Sequence, residues 1–360
     1  MKYIGIDFRE VGEHETGIGN YTKSIVSEML KIDKKNVYYI ICNSGSIYEK
    51  YKNIYKKNKN IKIVAIKSKT KSVLSEFTLN RELKKLKIDI FWTHIWGSIY
   101  FFSIPYTITL HDVIGVKNPQ FVSLKYKIYN RFHLKWTINR AYKVFTPTYA
   151  VKDDVIEYLK IKNSKKIRVI GEGVSVPKSY YEGEDILKKY KIDKEYFIYV
   201  GNSRPHKNVQ TLVSDFLLYK KKYKQDTMLV LIGVKENDIG IKNKNVKILH
   251  NINNVEKFEI LKKAICFVTL TYDEGFSLPI LEATYSGIPV ICTDIPVLRE
   301  VIGDEGAIFV DNLYEDDVCE ALNKIYLDKN LRENIVKEAK ERLEVYTWKK
   351  SAKKVLKYIK

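Results

Sequence analysis

The sequence predicts an α/β protein made of two successive domains, each a parallel β-sheet covered by helices on both faces. Three observations carry that prediction. Short apolar runs rich in β-branched and aromatic residues recur along the whole chain, with stretches of helical period between several of them. The 360 residues are too many for one domain of average size and suit two, and at 45% hydrophobic residues two cores can be filled. Between the halves, Gly171–Pro177 (GEGVSVP) sets two glycines and a proline directly after an apolar run, the composition of a linker.

In chain order the first half offers strands at Lys2–Phe8, Val37–Cys42, Ile61–Ile66, Ile88–Thr93, Tyr106–Leu110, Val144–Thr146 and Ile167–Ile170, with helices at Tyr21–Ile32 and Val73–Leu86. The second half repeats the scheme at Tyr196–Val200, Met228–Ile232, Val246–Leu249, Ile265–Leu270, Val290–Cys292 and Ala307–Val310. Strands alternating with helices favour parallel pairing, hence two Rossmann-like domains with a cleft between them. They are placed at residues 1–172 and 173–345. Residues 346–360 hold an amphipathic C-terminal helix, Trp348–Ile359.

Composition narrows the setting. Cys42, Cys266, Cys292 and Cys319 are scattered, show no Cys-x-x-Cys spacing, and read as reduced structural residues of a cytosolic protein. The N-terminal MKYIGIDF is a strand pattern that meets charge at Asp7 and Arg9, unlike a cleavable signal. Phe91–Leu110 comes nearest to a membrane span, but His94, Gly97 and Pro105 break it into two strands and a loop, so a soluble, cytoplasmic protein is expected. The net charge of +20 keeps a nucleic-acid binder as an alternative, although no recognition motif accompanies it.

Four motifs point to chemistry. Asp273–Pro289 (DEGFSLPILEATYSGIP) sets Glu274 between the apolar run Ile265–Leu270 and a helix expected over Phe276–Tyr285. The start of that helix offers free N–H groups to an anion. Glu282, about two turns in, falls on nearly the face Glu274 would occupy, since eight residues at ~100° each give ~800°. One carboxylate could then meet a ligand at the strand end and the other a second part of it. Taken alone, the two also fit a helix-start acid and a solvated helix residue. In Tyr199–Val213 (YVGNSRPHKNVQTLV), Gly201, Arg204 and Lys207 lie between a strand end and a helix start, where fixed cations and N–H groups stabilise a diphosphate. In Tyr106–Phe121, His111 and Asp112 follow a strand directly, at the sheet edge where open α/β folds bind ligands; Asp112 suits a turn cap. Gly17 and Gly19 open a helix and allow close approach of backbone to a phosphate or sugar. They form no dinucleotide fingerprint, because Thr22 stands where its third glycine would be. Thr148, ahead of Tyr149–Val155, suits a helix cap.

The string EGFSLPILEATYSGIPV resembles the Glu-x₇-Glu motif of the family 4 retaining glycosyltransferases of GT-B fold, whose usual form is EGFGLPxLEAMAxGxPV. Ser277 replaces the usual glycine, and Thr284-Tyr285 a common small pair. VGNSRPHKN resembles that family's VGRxxPxKN, with Asn202 at the first arginine and Arg204 offered instead. The HD after a strand, GIGNYT with Asn20 for arginine, and GEGV with Glu172 where asparagine is common follow in step. The resemblance spans nearly the whole chain and is closest to mannosyltransferase-like members. It implies that Glu274 faces the donor sugar, that Glu282 holds the ribose, and that backbone N–H groups of Phe276, Ser277 and Leu278, beside Gly275, cap the sugar and its phosphate. It implies further that Arg204 and Lys207 hold the diphosphate and aid its departure, that His111 lines the reaction centre, that Gly17 and Gly19 border phosphate and acceptor, and that the C-terminal helix packs back on the first domain.

The expected activity is thus metal-independent retaining transfer of a hexose from a nucleotide diphosphate sugar, with GDP-mannose favoured, to a hydroxyl of a growing, lipid-linked, cell-surface glycan. No cofactor is expected, and no Asp-x-Asp triplet for a metal exists in the sequence. A sugar-nucleotide epimerase of the same fold is the alternative enzyme. No specific nucleic-acid partner is expected. Charge also points to a membrane: residues 1–170 hold 32 Lys and Arg against 14 Asp and Glu, whereas 171–360 hold 31 against 29. The excess includes nine lysines in Lys50–Lys71, and Lys125, Lys127, Arg131, Lys135 and Arg140 interleaved with Phe121, Tyr126, Tyr129, Phe132 and Trp136. Basic and aromatic residues together suit an anionic bilayer, so the first, acceptor-binding domain is expected to dock peripherally at the inner face of the cell membrane.

Overall fold

All the expected strands form, and the order in which they pair decides where loops can diverge. The computed structural model describes residues 1–12, 17–66, 73–94, 102–179, 181–311 and 314–359, with backbone alone at 73–75 and 124–130. Two compact units emerge: Met1–Glu172 with Thr347–Lys360, and Gly173–Tyr346.

The first unit runs β1 (Tyr3–Asp7), α1 (Gly17–Ile32), β2 (Val37–Cys42), α2 (Ser46–Tyr55), β3 (Ile61–Ala65), α3 (Val73–Lys85), β4 (Ile90–Thr93), β5 (Tyr106–Thr109), α4 (Ile114–Lys117), α5 (Leu124–Arg140), β6 (Lys143–Thr146), α6 (Tyr149–Leu159) and β7 (Ile167–Val169). The second runs α7 (Ile186–Lys189), β8 (Glu195–Val200), α8 (Val209–Tyr223), β9 (Thr227–Ile232), α9 (Glu236–Ile239), β10 (Val246–Leu249), α10 (Asn254–Lys262), β11 (Cys266–Thr269), α11 (Leu278–Ser286), β12 (Val290–Thr293), α12 (Pro296–Ile302), β13 (Ile308–Val310), α13 (Glu315–Leu327) and α14 (Lys329–Val345). The last helix, α15 (Trp348–Ile359), belongs to the first unit.

Both sheets are parallel, ordered β3-β2-β1-β4-β5-β6-β7 and β10-β9-β8-β11-β12-β13. Strands covered on both faces must be apolar throughout, as β9 shows with all six residues of TMLVLI buried. On one face of the first sheet, Tyr39, Phe91 and Ile108 pack with Leu79, Leu134 and Val155 of the helices. Phe197, Leu229 and Val268 pack with Val213, Phe216 and Leu322 in the second. The four cysteines are free and buried. No helix among the described residues is long and apolar enough to cross a membrane; residues 95–101, the middle of the Phe91–Leu110 stretch, lie outside them.

Local signals set the helix ends. Thr148 accepts the Val151 N–H at 3.2 Å, and Asn253 with Glu256 forms a capping box on α10. In α15 the residues Trp348, Ser351, Ala352, Val355, Leu356 and Ile359 are buried, one stripe at helical spacing, and α15 packs against α1. Trp348 meets Tyr21 of α1 at 5.6 Å between centroids, and Arg168 lies 5.3 Å over the Tyr358 ring. Leu356→Ala should therefore destabilise the protein by about 2–5 kcal/mol, read as a fall in chemical-denaturation midpoint, while the exposed Lys353→Ala should leave it unchanged.

Candidate active site

In the second sheet the strand order reverses between β8 and β11, so the loops that leave their carboxyl ends turn apart. Sequence-predicted residues collect there. After β8, Gly201 leads to a short 3-10 turn, Pro205–Lys207; after β11, Asp273 and Glu274 precede α11. The loops are stitched by the His206 carbonyl, which accepts the Tyr272 N–H at 2.8 Å and the Thr271 hydroxyl at 3.0 Å. Lys207 Nζ is ion-paired with Glu274 Oε1, their side chains 16% and 9% exposed. Asp273 Oδ1 accepts the Glu274 N–H at 2.9 Å, which fixes the backbone beneath that carboxylate.

Gly201 has a packing reason that sequence did not reveal. A Cβ there would lie 2.5 Å from the Tyr199 hydroxyl, which donates to the Asn202 carbonyl at 2.8 Å. Gly233, at the end of β9 with φ 86°, would place a Cβ 2.7 Å from the Gly201 carbonyl oxygen. The two strand ends thus meet backbone to backbone. Arg204 is exposed. It lines an open depression of about 660 Å³ with Asn202, Asn208, Gln210, Lys235 and Asn237, on the β9 side of the loop. Asn202 Oδ1 accepts the Arg204 N–H at 3.1 Å, closing a local turn.

The helix after Glu274 starts later than its sequence suggests. It begins at Leu278, with Ser277 as a left-handed cap at φ 72° and ψ 68°. Glu282 is consequently only one turn into α11. Counting helical angle from Glu274 fails because the chain is not helical before Leu278. Gly275 and Phe276 precede that cap, and Phe276 is buried against Tyr346, 5.1 Å between centroids. Glu282 has its own cation: Lys257 Nζ of α10 donates to Oε1 at 2.6 Å. Sequence reasoning missed Lys257, since a lysine 25 residues away carries no local signal.

The remaining predicted residues belong to the first unit, whose strand order reverses between β1 and β4. Asp7 ends β1, and its carboxylate receives Arg9 Nε at 2.9 Å, an Arg9 terminal nitrogen at 2.8 Å and the Thr93 hydroxyl at 2.8 Å, all buried. Burial alone would raise the Asp7 pKa; Arg9 and Thr93 outweigh it and hold the carboxyl below its ordinary value. His111 follows β5, its Nδ1 3.2 Å from Oε1 of the buried Glu172. Asp112 caps a turn, accepting the Ile114 N–H at 3.1 Å. Gly17 begins α1 with open space where a Cβ would stand, and Gly19 is buried. Tyr21, two residues on, meets His111 edge-on at 4.5 Å and His94 at 5.3 Å. Burial, with His111 nearby, pushes the His94 pKa down to about 3, so His94 is a neutral ring. Glu172 is the second residue that sequence missed: its string read as linker.

This arrangement has counterparts. The model of the glycosyl transferases group 1 matches residues 183–342, and that of Glycosyltransferase Family 4 matches residues 16–177. The chain belongs to the family 4 glycosyltransferases. Its curated relatives include the O-antigen chain mannosyltransferase RfbU of Salmonella typhimurium, 33% identical over 214 residues, 57% of this chain and 56% of that protein. The chain spans about half the length of the curated relatives it matches first. Among solved structures, WaaG, a glycosyltransferase involved in lipopolysaccharide biosynthesis, superposes with a TM-score of 0.72 at 14% identity, over 98% of both chains. Anabaena Alr3699/HepE in complex with UDP gives 0.71 at 12% identity, over 100% of this chain and 99% of that one. These likenesses show the GT-B fold.

At the position where the family usually has glycine, Ser277 sits in the left-handed region. A left-handed L-residue costs roughly 1–2 kcal/mol, of which glycine's greater unfolded-state entropy returns about 0.5–1. Ser277→Gly should therefore stabilise the protein by about 0.5–1 kcal/mol, seen as a higher urea midpoint with unchanged slope. A lower midpoint would show that Ser277 is not strained.

Proposed function

We propose that this chain is a retaining, metal-independent hexosyltransferase that moves a hexose from a nucleotide diphosphate sugar to a hydroxyl of a growing, lipid-linked, cell-surface glycan. The observation that carries the reading is the Lys207–Glu274 ion pair at the strand-order reversal of the second sheet, beside the start of α11. A partly buried ion pair is ready to be exchanged, because its desolvation is already met and a phosphate oxygen can replace the carboxylate on the lysine. Lys207, with Arg204, then holds the diphosphate, and Glu274 is released to accept hydrogen bonds from the sugar. Glu282, beside Lys257, takes the ribose hydroxyls.

The barrier lies in breaking the anomeric C–O bond while positive charge develops on the sugar. Fixed cations on the departing phosphate lower it without reorganising. In this reading the acceptor attacks from the face the diphosphate leaves, and the leaving phosphate takes its proton, so no protein nucleophile is needed. The mannosyltransferase name of RfbU supports mannose, and with it GDP-mannose as donor; UDP in the HepE structure makes uridine the comparison to run.

Calorimetry with a panel of nucleoside diphosphates tests these roles. Lys207→Ala and Glu282→Ala should each weaken binding about 10- to 100-fold, the worth of a charged hydrogen bond. Glu274→Ala should leave it equal or tighter, because Lys207 loses its competing partner. EDTA should change nothing. Abolished binding in Glu274→Ala with intact binding in Glu282→Ala would reverse the assignment.

Docking on an anionic bilayer is the second part of the proposal. On α5 the side chains of Phe132 and Trp136 are 74% and 51% exposed, one turn apart, while His133, Leu134, Thr137 and Ile138 are buried. Arg131 and Arg140 are exposed beside them, and Arg140 lies 5.5 Å over the Trp136 ring. Lys50, Lys52, Lys56, Lys57, Lys59 and Lys62 are exposed too. Lys67, Lys69 and Lys71 lie outside the described residues, as do the side chains of Lys125, Tyr126, Lys127 and Tyr129. An aromatic pair rimmed by cations suits the headgroup boundary of anionic lipid, at ~1 kcal/mol per cation. Sedimentation with liposomes should show binding that needs anionic lipid, fades with salt, and weakens in a Phe132→Ser, Trp136→Ser double variant. Equal binding to neutral vesicles would contradict it.

A further inference from the structure

His111 is held on two sides. Tyr21 meets the ring edge-on at 4.5 Å, and Nδ1 lies 3.2 Å from Glu172 Oε1. The Glu172 side chain is only 5% exposed, and its carbonyl oxygen accepts the Ser351 hydroxyl of α15 at 3.4 Å, which ties this residue to the last helix. The other ring nitrogen, Nε2, is buried and has no hydrogen-bond partner among the described residues. An ionised carboxylate only accepts, so the nitrogen that faces it must carry the proton, and the opposite nitrogen of a neutral ring is then a lone pair. His94, 6.2 Å away, is a neutral ring and brings no competing charge.

We infer that Glu172 is a positioning residue that holds His111 as its Nδ1–H tautomer, so that Nε2 accepts a hydrogen bond from a sugar hydroxyl and offers nothing to a phosphate oxygen. The tautomer stands on geometry alone; the sugar hydroxyl rests on the glycosyltransferase reading above. The two consequences separate. Loss of Glu172 should slow sugar transfer while leaving nucleoside diphosphate affinity alone, because an Nε2 lone pair has no part in binding phosphate.

The test is a long-range proton–nitrogen NMR spectrum of protein labelled with ¹⁵N-histidine, at about pH 8.5, where ordinary imidazoles are neutral. The chain has six histidines, and His111 is assigned by its disappearance in His111→Asn. Wild type should carry the proton on Nδ1. In Glu172→Leu it should move to Nε2, and Glu172→Asp, which keeps a carboxylate, should restore Nδ1–H at least in part. With a nucleotide sugar, Glu172→Leu should lower kcat about 10- to 100-fold and leave the nucleoside diphosphate Kd within about twofold. A wild-type proton on Nε2, or a tautomer unmoved in Glu172→Leu, overturns the inference. The wild-type spectrum decides the first of these even if Glu172→Leu folds poorly. The spectrum needs no turnover, so an Nδ1–H ring in a protein inactive on every nucleotide sugar would refute glycosyl transfer and spare the tautomer.

Discussion

Strand order is the constraint on which the rest of this protein depends. Parallel strands must be joined by crossovers that cover the sheet, and a sheet that grows first to one side of its opening strand and then to the other leaves one place where neighbouring loops diverge. In the second unit that place lies between β8 and β11, and Lys207 and Glu274 come from its two sides. In the first it lies between β1 and β4, where Asp7 and Thr93 share a hydrogen bond. The same topology, used twice, gathers polar side chains at the carboxyl edge of an otherwise apolar sheet.

What occupies those edges differs in kind. The first unit holds a fully buried Asp7–Arg9 pair with a hydroxyl on the same carboxylate, an arrangement whose groups already have their partners. It is suited to fixing backbone. The second unit holds one lysine on each of two glutamates, with 9–16% of each side chain exposed. Such pairs contribute little net stability, because desolvation offsets most of the attraction, and they can be exchanged for a ligand of like charge at small cost. On that physical difference rests the proposal that donor chemistry belongs to the second unit.

The strands were legible because burial on both faces leaves an unbroken apolar run, and β9 (TMLVLI) needs no neighbour to be recognised. Lys207 and Glu274 were legible as strand-end residues, but their mutual ion pair was not, since 67 residues separate them. The start of α11 was misread because propensity and period cannot show that Ser277 turns left-handed before the helix begins. Lys257 and Glu172 were invisible for a related reason. Each acts through a partner brought by tertiary packing, Glu282 and His111, and a lysine on α10 or a glutamate between glycines looks locally like a solvated charge. Gly201 was found for a ligand reason, whereas the structure supplies a packing one in the Tyr199 hydroxyl.

Turnover is the direct test of glycosyl transfer by this protein. The protein is incubated with nucleotide diphosphate hexoses, GDP-mannose first, and the products are resolved by NMR. A retaining transferase should release nucleoside diphosphate slowly, with the freed hexose first appearing in the donor's anomeric configuration. An isomerised nucleotide sugar with no diphosphate released would make it an epimerase, and no turnover together with tight, salt-sensitive DNA binding would make it a nucleic-acid binder; either result would refute glycosyl transfer.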